Sequence, residues 1–154
     1  MTTRLRLRDN AGRIFLDRWG WECRWFGVYV HRVAAPDPGL DLHDHPWPFV
    51  SFVLWGGYVD EVYPAREASR VAPDLDRWST ARGLPRRCRR WRWHRVPLTD
   101  AHRIVSVEPR TWTLVVRGCK SRPWGFYERS GWVHWQSYDY AARRPCNETR
   151  ETRR

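Results

Sequence analysis

The pattern that most constrains this chain is an alternation of apolar and polar residues with a period of two. Successive side chains of a β-strand point to opposite faces, so this period is typical of half-buried strands. Runs rich in β-branched and aromatic residues carry the pattern and are bounded by Gly, Pro or Asp. Eight segments follow it: Arg13–Leu16, Trp25–Val33, Phe49–Trp55, Tyr58–Tyr63, Trp91–Val96, His102–Val107, Thr111–Arg117 and Trp124–Tyr127. The sequence therefore predicts an all-β fold, a barrel or a sandwich.

Two short connections between these segments predict β-hairpins. Gly56 and Gly57 separate the third and fourth segments, and glycines can adopt the positive φ angles that a two-residue hairpin turn needs. Glu108-Pro109-Arg110 separates the sixth and seventh segments in the same way. We expect each pair of segments to lie side by side in one sheet.

One long stretch interrupts the alternation, and one end of the chain lacks it. Residues 64–90 carry three prolines and several charges, which predicts a long loop, with a short helix over Pro73–Arg82. Residues 141–154 have no apolar pattern and are basic, which predicts a flexible tail. With 154 residues in all, we expect a single domain over residues 1–140.

The apolar and cysteine patterns indicate the compartment. No apolar run approaches the ~20 residues of a membrane-spanning helix, and the first residues lack the apolar core of a signal peptide. The four cysteines are scattered without a C-x-x-C pair, which favours free thiols over a zinc ribbon or a disulfide scaffold. We expect a cytoplasmic protein with no membrane partner.

The charge of the chain favours an anionic partner. The formal net charge is +11, and 28 residues are Lys or Arg. Residues 86–95 hold six arginines and two tryptophans; as one strand, they would place Arg90, Arg92 and His94 on one face. Such a stripe suits a phosphate or carboxylate, and its aromatic neighbours suit the bases of a single-stranded nucleic acid. Codon bias towards arginine and tryptophans that fill the core are the competing explanations.

The segment Leu42-His43-Asp44-His45-Pro46-Trp47 carries the clearest chemical signal. In a strand, His43 and His45 point to the same face, as two ligands of one metal ion require, while Asp44 points away and is expected to pair elsewhere. An antiparallel barrel could bring His102 against this pair. Three such imidazoles would leave open coordination positions and would suit Fe(II), Mn, Ni or Zn.

These residues resemble the first metal-binding motif of the cupin superfamily, a group of small antiparallel β-barrels. His43 and His45 match the histidine pair of that motif, and Gly57 matches its final glycine. Val50 stands where the motif has a glutamate ligand, and Asp37 occupies the place of its opening glycine.

The second cupin motif is matched in part. Pro97 and His102 stand at the motif's separation, whereas Thr99 replaces a glycine and Ser106 replaces an asparagine. The run HDHPW, then GGY, a histidine, WTL and WGF resembles uncharacterised cupin-like proteins of bacteria and phages, over roughly residues 25–137. The resemblance implies a single-domain cupin jelly roll with an insertion around residues 64–90.

A three-histidine cupin without the glutamate is similar to the thiol dioxygenases, which add both atoms of O2 to a sulfur. The resemblance implies a non-haem Fe(II) dioxygenase acting on a small anionic substrate, with metal ligands His43, His45 and His102. Candidate catalytic side chains are Asp100, Glu61 and His94. Candidate substrate-binding arginines are Arg90, Arg92 and Arg117.

Two other functions fit the same sequence. One is a cupin without catalysis that holds nucleic acid or an acidic protein on its Arg/Trp face. The other is a metal-free sugar-nucleotide isomerase or epimerase, with His94 or His43 as base. Small cupins often pair through their sheets, so the resemblance also implies a homodimer.

Overall fold

The computed structural model describes residues 1–9, 11–39, 41–64, 84–128 and 131–138. These ranges form β-strands and connecting turns, with no helix among them. The twelve strands, β1 to β12 in chain order, are Thr2–Arg8, Ile14–Glu22, Gly27–Val33, Leu42–His43, Phe49–Trp55, Gly57–Pro64, Leu84–Arg89, Trp93–Val96, Asp100–Val107, Thr111–Arg117, Gly125–Glu128 and Gly131–His134. The prediction of an all-β fold is confirmed.

The strands form two antiparallel sheets of six strands each. The first sheet has the order β1-β2-β3-β10-β5-β8, and the second has the order β12-β11-β4-β9-β6-β7. From β3 to β6 and again from β7 to β11, each strand lies in the sheet opposite to its predecessor. This crossing between two packed sheets is the topology of a jelly roll.

Burial along β10 shows which face of the first sheet is inward. Thr111, Thr113, Val115 and Arg117 are buried, whereas the residues between them are partly exposed. Because the side-chain period is two, every second residue of the neighbouring strands shares this inward face.

Both predicted hairpins are wrong. β5 and β6 belong to different sheets, and so do β9 and β10, so that the two short connections are corners between sheets. Gly56 has φ +67°, and a Cβ there would lie 2.4 Å from Thr111 Oγ1, which leaves no room for a side chain. Alternation identifies two strands but not their partners, and a jelly-roll corner can be as short as a hairpin turn.

The arginine-rich segment is not one strand, contrary to the prediction. β7 lies within the predicted insertion, a turn at residues 90–92 follows it, and β8 belongs to the other sheet. Trp91, in this turn, has φ +61°. The predicted helix Pro73–Arg82 and the tail 141–154 lie outside the described residues.

Four strands were not predicted: β1, β4, β7 and β12. β1 escaped notice because arginines occupy every second position, which looks like a charged terminus rather than a strand. Its Arg6 side chain reaches Asp17 of β2, with Nε 2.6 Å from the buried carboxylate oxygen Oδ1. The charged face of β1 is therefore part of the sheet.

The described residues agree with two further expectations. None of their helical content could span a bilayer, because they form no long apolar helix. Cys23, Cys88 and Cys119 are free thiols.

The corner at Gly56 generates a stability prediction. Gly56→Ala is expected to lower the free energy of unfolding by about 3 kcal/mol, because it adds a steric clash to the cost of a left-handed backbone. Gly12→Ala is the matched control: Gly12 has φ +78°, but a Cβ there meets nothing within 4 Å, and its expected cost is about 1 kcal/mol. Urea unfolding measures both, and equal costs would contradict the role of the corner.

Candidate metal centre

Three histidines from separate parts of the chain meet between the sheets. His43 ends β4 and lies directly opposite His102 of β9 in the antiparallel register. His45 follows two residues later, beyond the strand. Ring centroids lie 4.7 Å apart for His43 and His102, 5.0 Å for His45 and His102, and 5.1 Å for His43 and His45.

The nitrogens of these rings face one another. One ligand nitrogen from each histidine lies within 4.8 Å of the other two. His45 Nε2 and His102 Nε2 are 2.7 Å apart, which is hydrogen-bond distance, so a proton lies between them. A metal ion bound at this point would replace that proton.

A buried carboxylate fixes the orientation of the His102 ring. His102 Nδ1 lies 2.7 Å from Asp60 Oδ1; because a carboxylate only accepts, Nδ1 donates and Nε2 is directed at the other histidines. Arg86 Nη2 donates to Asp60 Oδ2 at 2.6 Å. Asp60 is 1% exposed, so its charge is balanced by these two partners. Carboxylate support of this kind is common behind metal-binding histidines.

The sequence reasoning selected the neighbouring acid, Glu61. A β-bulge between Val59 and Asp60 shifts the register of β6 against β9, and this decides which of the two acids faces inward. Glu61 points the other way and pairs with Arg103, with Nη2 2.7 Å from Oε2. The available signal was an aspartate within an otherwise apolar strand, a position where aspartate is rare.

Asp100 begins β9, two residues before His102. Its Oδ1 lies 3.3 Å from the Thr99 hydroxyl, and its backbone N–H donates to the Pro97 carbonyl. These are the contacts of a turn that leads into a strand. Among the described residues, the group of converging ligand atoms consists of the three histidines and includes neither Asp100 nor Glu61.

Aromatic rings enclose the three histidines. The Phe49 ring lies 4.9 Å from His45 and edge-on to it, and Trp124 is parallel to His45 at 6.5 Å. Phe126 lies 5.7 Å from His43. These rings limit the access of water on the sides that they cover and favour uncharged imidazoles.

Asp44 holds the segment between the two histidine ligands in place. It is 2% exposed and accepts hydrogen bonds from the Gly125 backbone, the Tyr127 hydroxyl, the Arg122 guanidinium and the Trp132 indole at 2.8, 3.1, 3.0 and 3.3 Å. The expectation that Asp44 points away from the histidines and pairs elsewhere is confirmed. Because Asp44 lies between His43 and His45, this network fixes the backbone from which both rings project.

Burial keeps two of the three imidazoles neutral. It lowers the pKa of His43 to about 4 and the pKa of His45 well below its usual value, and the charge of His102 adds to both effects. Burial also acts to lower the pKa of His102, but the charge and hydrogen bond of Asp60 outweigh it, and the pKa is raised. Neutral imidazole is the form that binds metals.

The candidate substrate arginines lie elsewhere. Arg90 and Arg92 are exposed in the turn between β7 and β8. Arg117 is 6% exposed and is already paired: its Nη2 lies 3.0 Å from Glu22 Oε2, and its Nε donates to Tyr29 Oη at 3.0 Å. None of the three belongs to the group around the histidines.

His94 lies in β8 opposite Ser51, in the sheet that does not carry His43 and His102. Its Nε2 is buried without a hydrogen-bond partner among the described residues. Burial lowers the pKa of His94. It does not belong to the three-histidine group.

Two donors that the sequence reasoning did not select lie on the inward face of the first sheet. Arg18 and His31 are paired across β2 and β3, and both Arg18 Nε and His31 Nε2 are buried without a partner in the described ranges. His31 is near enough for its charge to lower the pKa of His45. Unpaired buried donors are rare and call for a partner.

The donor set fits a divalent transition metal. At metal–nitrogen bonds of about 2.0–2.1 Å, two imidazole nitrogens on one ion lie roughly 2.9–3.4 Å apart. The closest pair here is slightly tighter, and all three nitrogens fall within 4.8 Å. Small ring movements bring the set into range, and the fixed tautomer of His102 presents the correct nitrogen.

No protein-family model and no curated protein matches the sequence. Solved structures do match. A variant of oxalate decarboxylase from B. subtilis aligns with a TM-score of 0.52 at 13% identity, over 86% of this chain and 30% of that one. Fe(II)-HppE with an alternative substrate aligns at 0.50 and 13%, over 76% and 55%. The chain has the cupin fold.

A third match has the same strength: a structure of the DMSP lyases RdDddP and RnDddQII, with a TM-score of 0.50 and 14% identity over 76% of this chain and 56% of that one. The chain spans less than two thirds of each of these three proteins. At these identities the likeness shows the fold alone.

Within the cupin fold, the motif positions can now be placed. Phe49 faces the histidines, so its neighbour Val50, in the place of the cupin glutamate, points to the opposite face of β5. The cupin glutamate is therefore not replaced by a carboxylate among the described residues that meet at this point. The candidate centre is made of three neutral donors.

The buried state of His31 generates a prediction of pH dependence. Burial, with the charge of Arg18, lowers its pKa from 6.5 to about 3. Between these values the unfolded chain binds a proton that the folded protein does not, so acidification destabilises the fold, by at most about 1.4 kcal/mol per pH unit from this residue. In metal-free protein, His31→Gln is expected to make the free energy of unfolding fall less steeply from pH 6.5 to 4. Urea unfolding across this range measures the slope, and identical slopes would refute the prediction.

Proposed function

We propose that this cupin is a metal-dependent enzyme of the dioxygenase type, acting on a small anionic substrate. His43, His45 and His102 would hold a divalent transition metal, Fe(II) in preference to Mn, Ni or Zn. The observation that carries the proposal is the convergence of three imidazole nitrogens within 4.8 Å. A surface histidine cluster would have no reason to be enclosed by aromatic rings and supported by a buried carboxylate.

The donor set supports Fe(II). Three facial ligands leave open coordination positions, the arrangement of non-haem iron oxygenases. One of the fold neighbours is described as an Fe(II) protein with a substrate. The missing cupin glutamate leaves the ion's charge uncompensated, which favours an anionic substrate.

The chain's own residues would prepare the site. When bound, the ion would supply Lewis acidity and open positions for O2 and substrate. Asp60 and Arg86 hold the His102 ring by hydrogen bonds of 2.7 and 2.6 Å, so that Nε2 stays directed inward. Asp44 fixes the backbone of the other two ligands. Asp60 is thus a positioning residue.

Arg18 and His31 are better placed than Arg90, Arg92 or Arg117 to orient the substrate. They lie on the inward face of the first sheet, with buried nitrogens that lack a partner among the described residues. A carboxylate or phosphate oxygen would satisfy both groups, and a guanidinium holds such an oxyanion by charge-assisted hydrogen bonds. The proposed substrate therefore spans from this anchor towards the histidines.

A small thiol that carries a carboxylate fits these requirements. Adding both atoms of O2 to its sulfur consumes no external reductant, because the four electrons that O2 accepts come from the sulfur. The notebook-independent feature of such a substrate is its two ends, one anionic and one able to bind a soft metal.

Metal binding tests the centre directly. The purified protein is expected to bind about one equivalent of Fe(II) under anaerobic conditions. His102→Ala should abolish binding, and Asp60→Asn should weaken it by about 10- to 100-fold, because the ring loses its support. Titration followed by elemental analysis measures both, with His134→Ala as the matched control, since His134 lies in β12 outside the group.

Unchanged affinity in His102→Ala would contradict the assignment of this ligand. If the unaltered protein takes up none of Fe(II), Mn, Ni and Zn, the metal-dependent function is wrong.

Oxygen consumption tests the reaction and the substrate class. The Fe(II)-loaded protein is expected to consume O2 with at least one member of a panel of small carboxylate-bearing thiols. Arg18→Met should raise KM for that substrate by about 10- to 100-fold, the value of a lost hydrogen bond to a charged group, with a smaller change in kcat. An oxygen electrode gives both parameters. Normal iron binding without O2 uptake would reject the dioxygenase reaction while retaining the metal centre.

A further inference from the structure

The outer surface of the first sheet carries a group of exposed aromatic residues. We call it the aromatic face; it consists of Phe52, Trp55, Trp91, Trp93 and Trp112. Trp55, Trp91 and Trp93 are 50%, 61% and 60% exposed. Large apolar side chains exposed side by side are unusual on a protein surface and commonly mark an interaction site.

The members of the aromatic face contact one another and an arginine. The Phe52 ring lies 4.8 Å from Trp93 and 5.9 Å from Trp91. The guanidinium carbon of Arg90 lies 3.8 Å from the centre of the Trp55 ring and 5.0 Å from that of Trp91. Aromatic planes and a cation are therefore interleaved on the surface.

An open cavity continues the face across the sheet. Its volume is about 430 Å³, and it is lined by Leu54, Trp55, Arg110 and Trp112. Beyond it, Trp112 stacks on Trp19 of β2 at 5.8 Å. From β8 to β2 the surface crosses four strand spacings, about 19 Å. A flat ligand of several units could follow it.

The backbone is held in an unfavourable conformation at this surface. Among the described non-glycine residues, two have a positive φ, Trp91 at 61° and Arg110 at 59°. A bulky residue in this region costs about 1–2 kcal/mol. Both residues belong to the aromatic face or line its cavity, and neither is buried in a core that would offset the cost. Strain retained in this way is typical of functional surfaces.

The charges around the face favour an anionic partner. Arg90 and Arg110 lie within it, Arg92 is exposed beside it, and Arg4 lies 5.7 Å from the Trp19 ring. The acid of β2 on this side, Asp17, is buried and already paired with arginines at 2.6 and 3.7 Å. A second copy of the chain, docked face to face, would oppose these arginines to each other.

We propose that the aromatic face binds single-stranded nucleic acid. Bases would stack on Trp55, Trp91 and Trp93, and phosphates would pair with Arg90 and Arg110. Stacking platforms combined with basic side chains are the means by which proteins hold single strands without sequence preference. The face is formed by the first sheet and its connecting turns, so the proposal does not depend on metal binding or catalysis at the three histidines.

The test uses the full-length protein and a fluorescein-labelled oligo(dT) or oligo(rU) of about 16 nucleotides. Fluorescence anisotropy is expected to show binding at about 50 mM salt that weakens at about 200 mM as counterions are released. Trp93→Ala and Arg90→Ala should each weaken binding by roughly tenfold. Removing metal with a chelator should leave the affinity unchanged.

The turn between β2 and β3 offers a matched control pair. Trp25 is 65% exposed, and the Arg24 guanidinium lies 5.3 Å from its ring, but both are at the opposite end of the sheet from Trp55 and Trp112. Trp25→Ala and Arg24→Ala should change the affinity by no more than about twofold. They remove the same side chains, and the latter the same charge, as the test variants.

Three outcomes would overturn the proposal. The first is no binding of either oligonucleotide at the lower salt concentration. The second is equal weakening by the test and control variants, which would indicate diffuse attraction to a basic protein. The third is a dimer in sedimentation velocity that Trp93→Ala dissociates, which would assign the aromatic face to a second copy of the chain.

Discussion

The hydrogen bond from His102 Nδ1 to Asp60 Oδ1 is the interaction on which the candidate centre depends. Burial alone would make His102 resemble His43 and His45, with a lowered pKa and a ring free to choose its tautomer. The carboxylate at 2.7 Å reverses the direction of the pKa shift and fixes the proton on Nδ1. Arg86 in turn keeps Asp60 ionised, since burial would otherwise favour its neutral form. One buried ion pair thus determines how the third imidazole is presented to the other two.

The sequence predicted the all-β fold, and it identified the three histidines that the structure brings together, because both depend on short-range patterns. Alternation reveals strands, and the H-x-H spacing reveals a pair of imidazoles. It failed at Gly56 and Arg110 because a corner and a hairpin turn have the same length and similar residues. Which strands pair is decided by contacts between distant segments, and no local pattern records them.

The choice between Asp60 and Glu61 failed for a related reason. Counting by twos along β6 places one acid inward and the other outward, but a single extra residue at the bulge beside Val59 shifts the count. Bulges form where two strands fit together, so they depend on β9 as much as on β6. The arginines were misplaced for the same cause: the turn at Trp91 divides the segment that the alternation treated as one strand.

The positive charge of the chain is distributed according to what each arginine contacts. Arg86, Arg117 and Arg122 support the interior by pairing with Asp60, Glu22 and Asp44, so they are not available to a partner. Arg90 and Arg110 are held against exposed tryptophan surface instead. Codon bias would raise the number of arginines everywhere, but it does not account for Trp91 and Arg110 adopting a positive φ at one surface. The proposed nucleic-acid site therefore rests on backbone strain and exposed aromatic rings, and the net charge only determines the sign of the ligand.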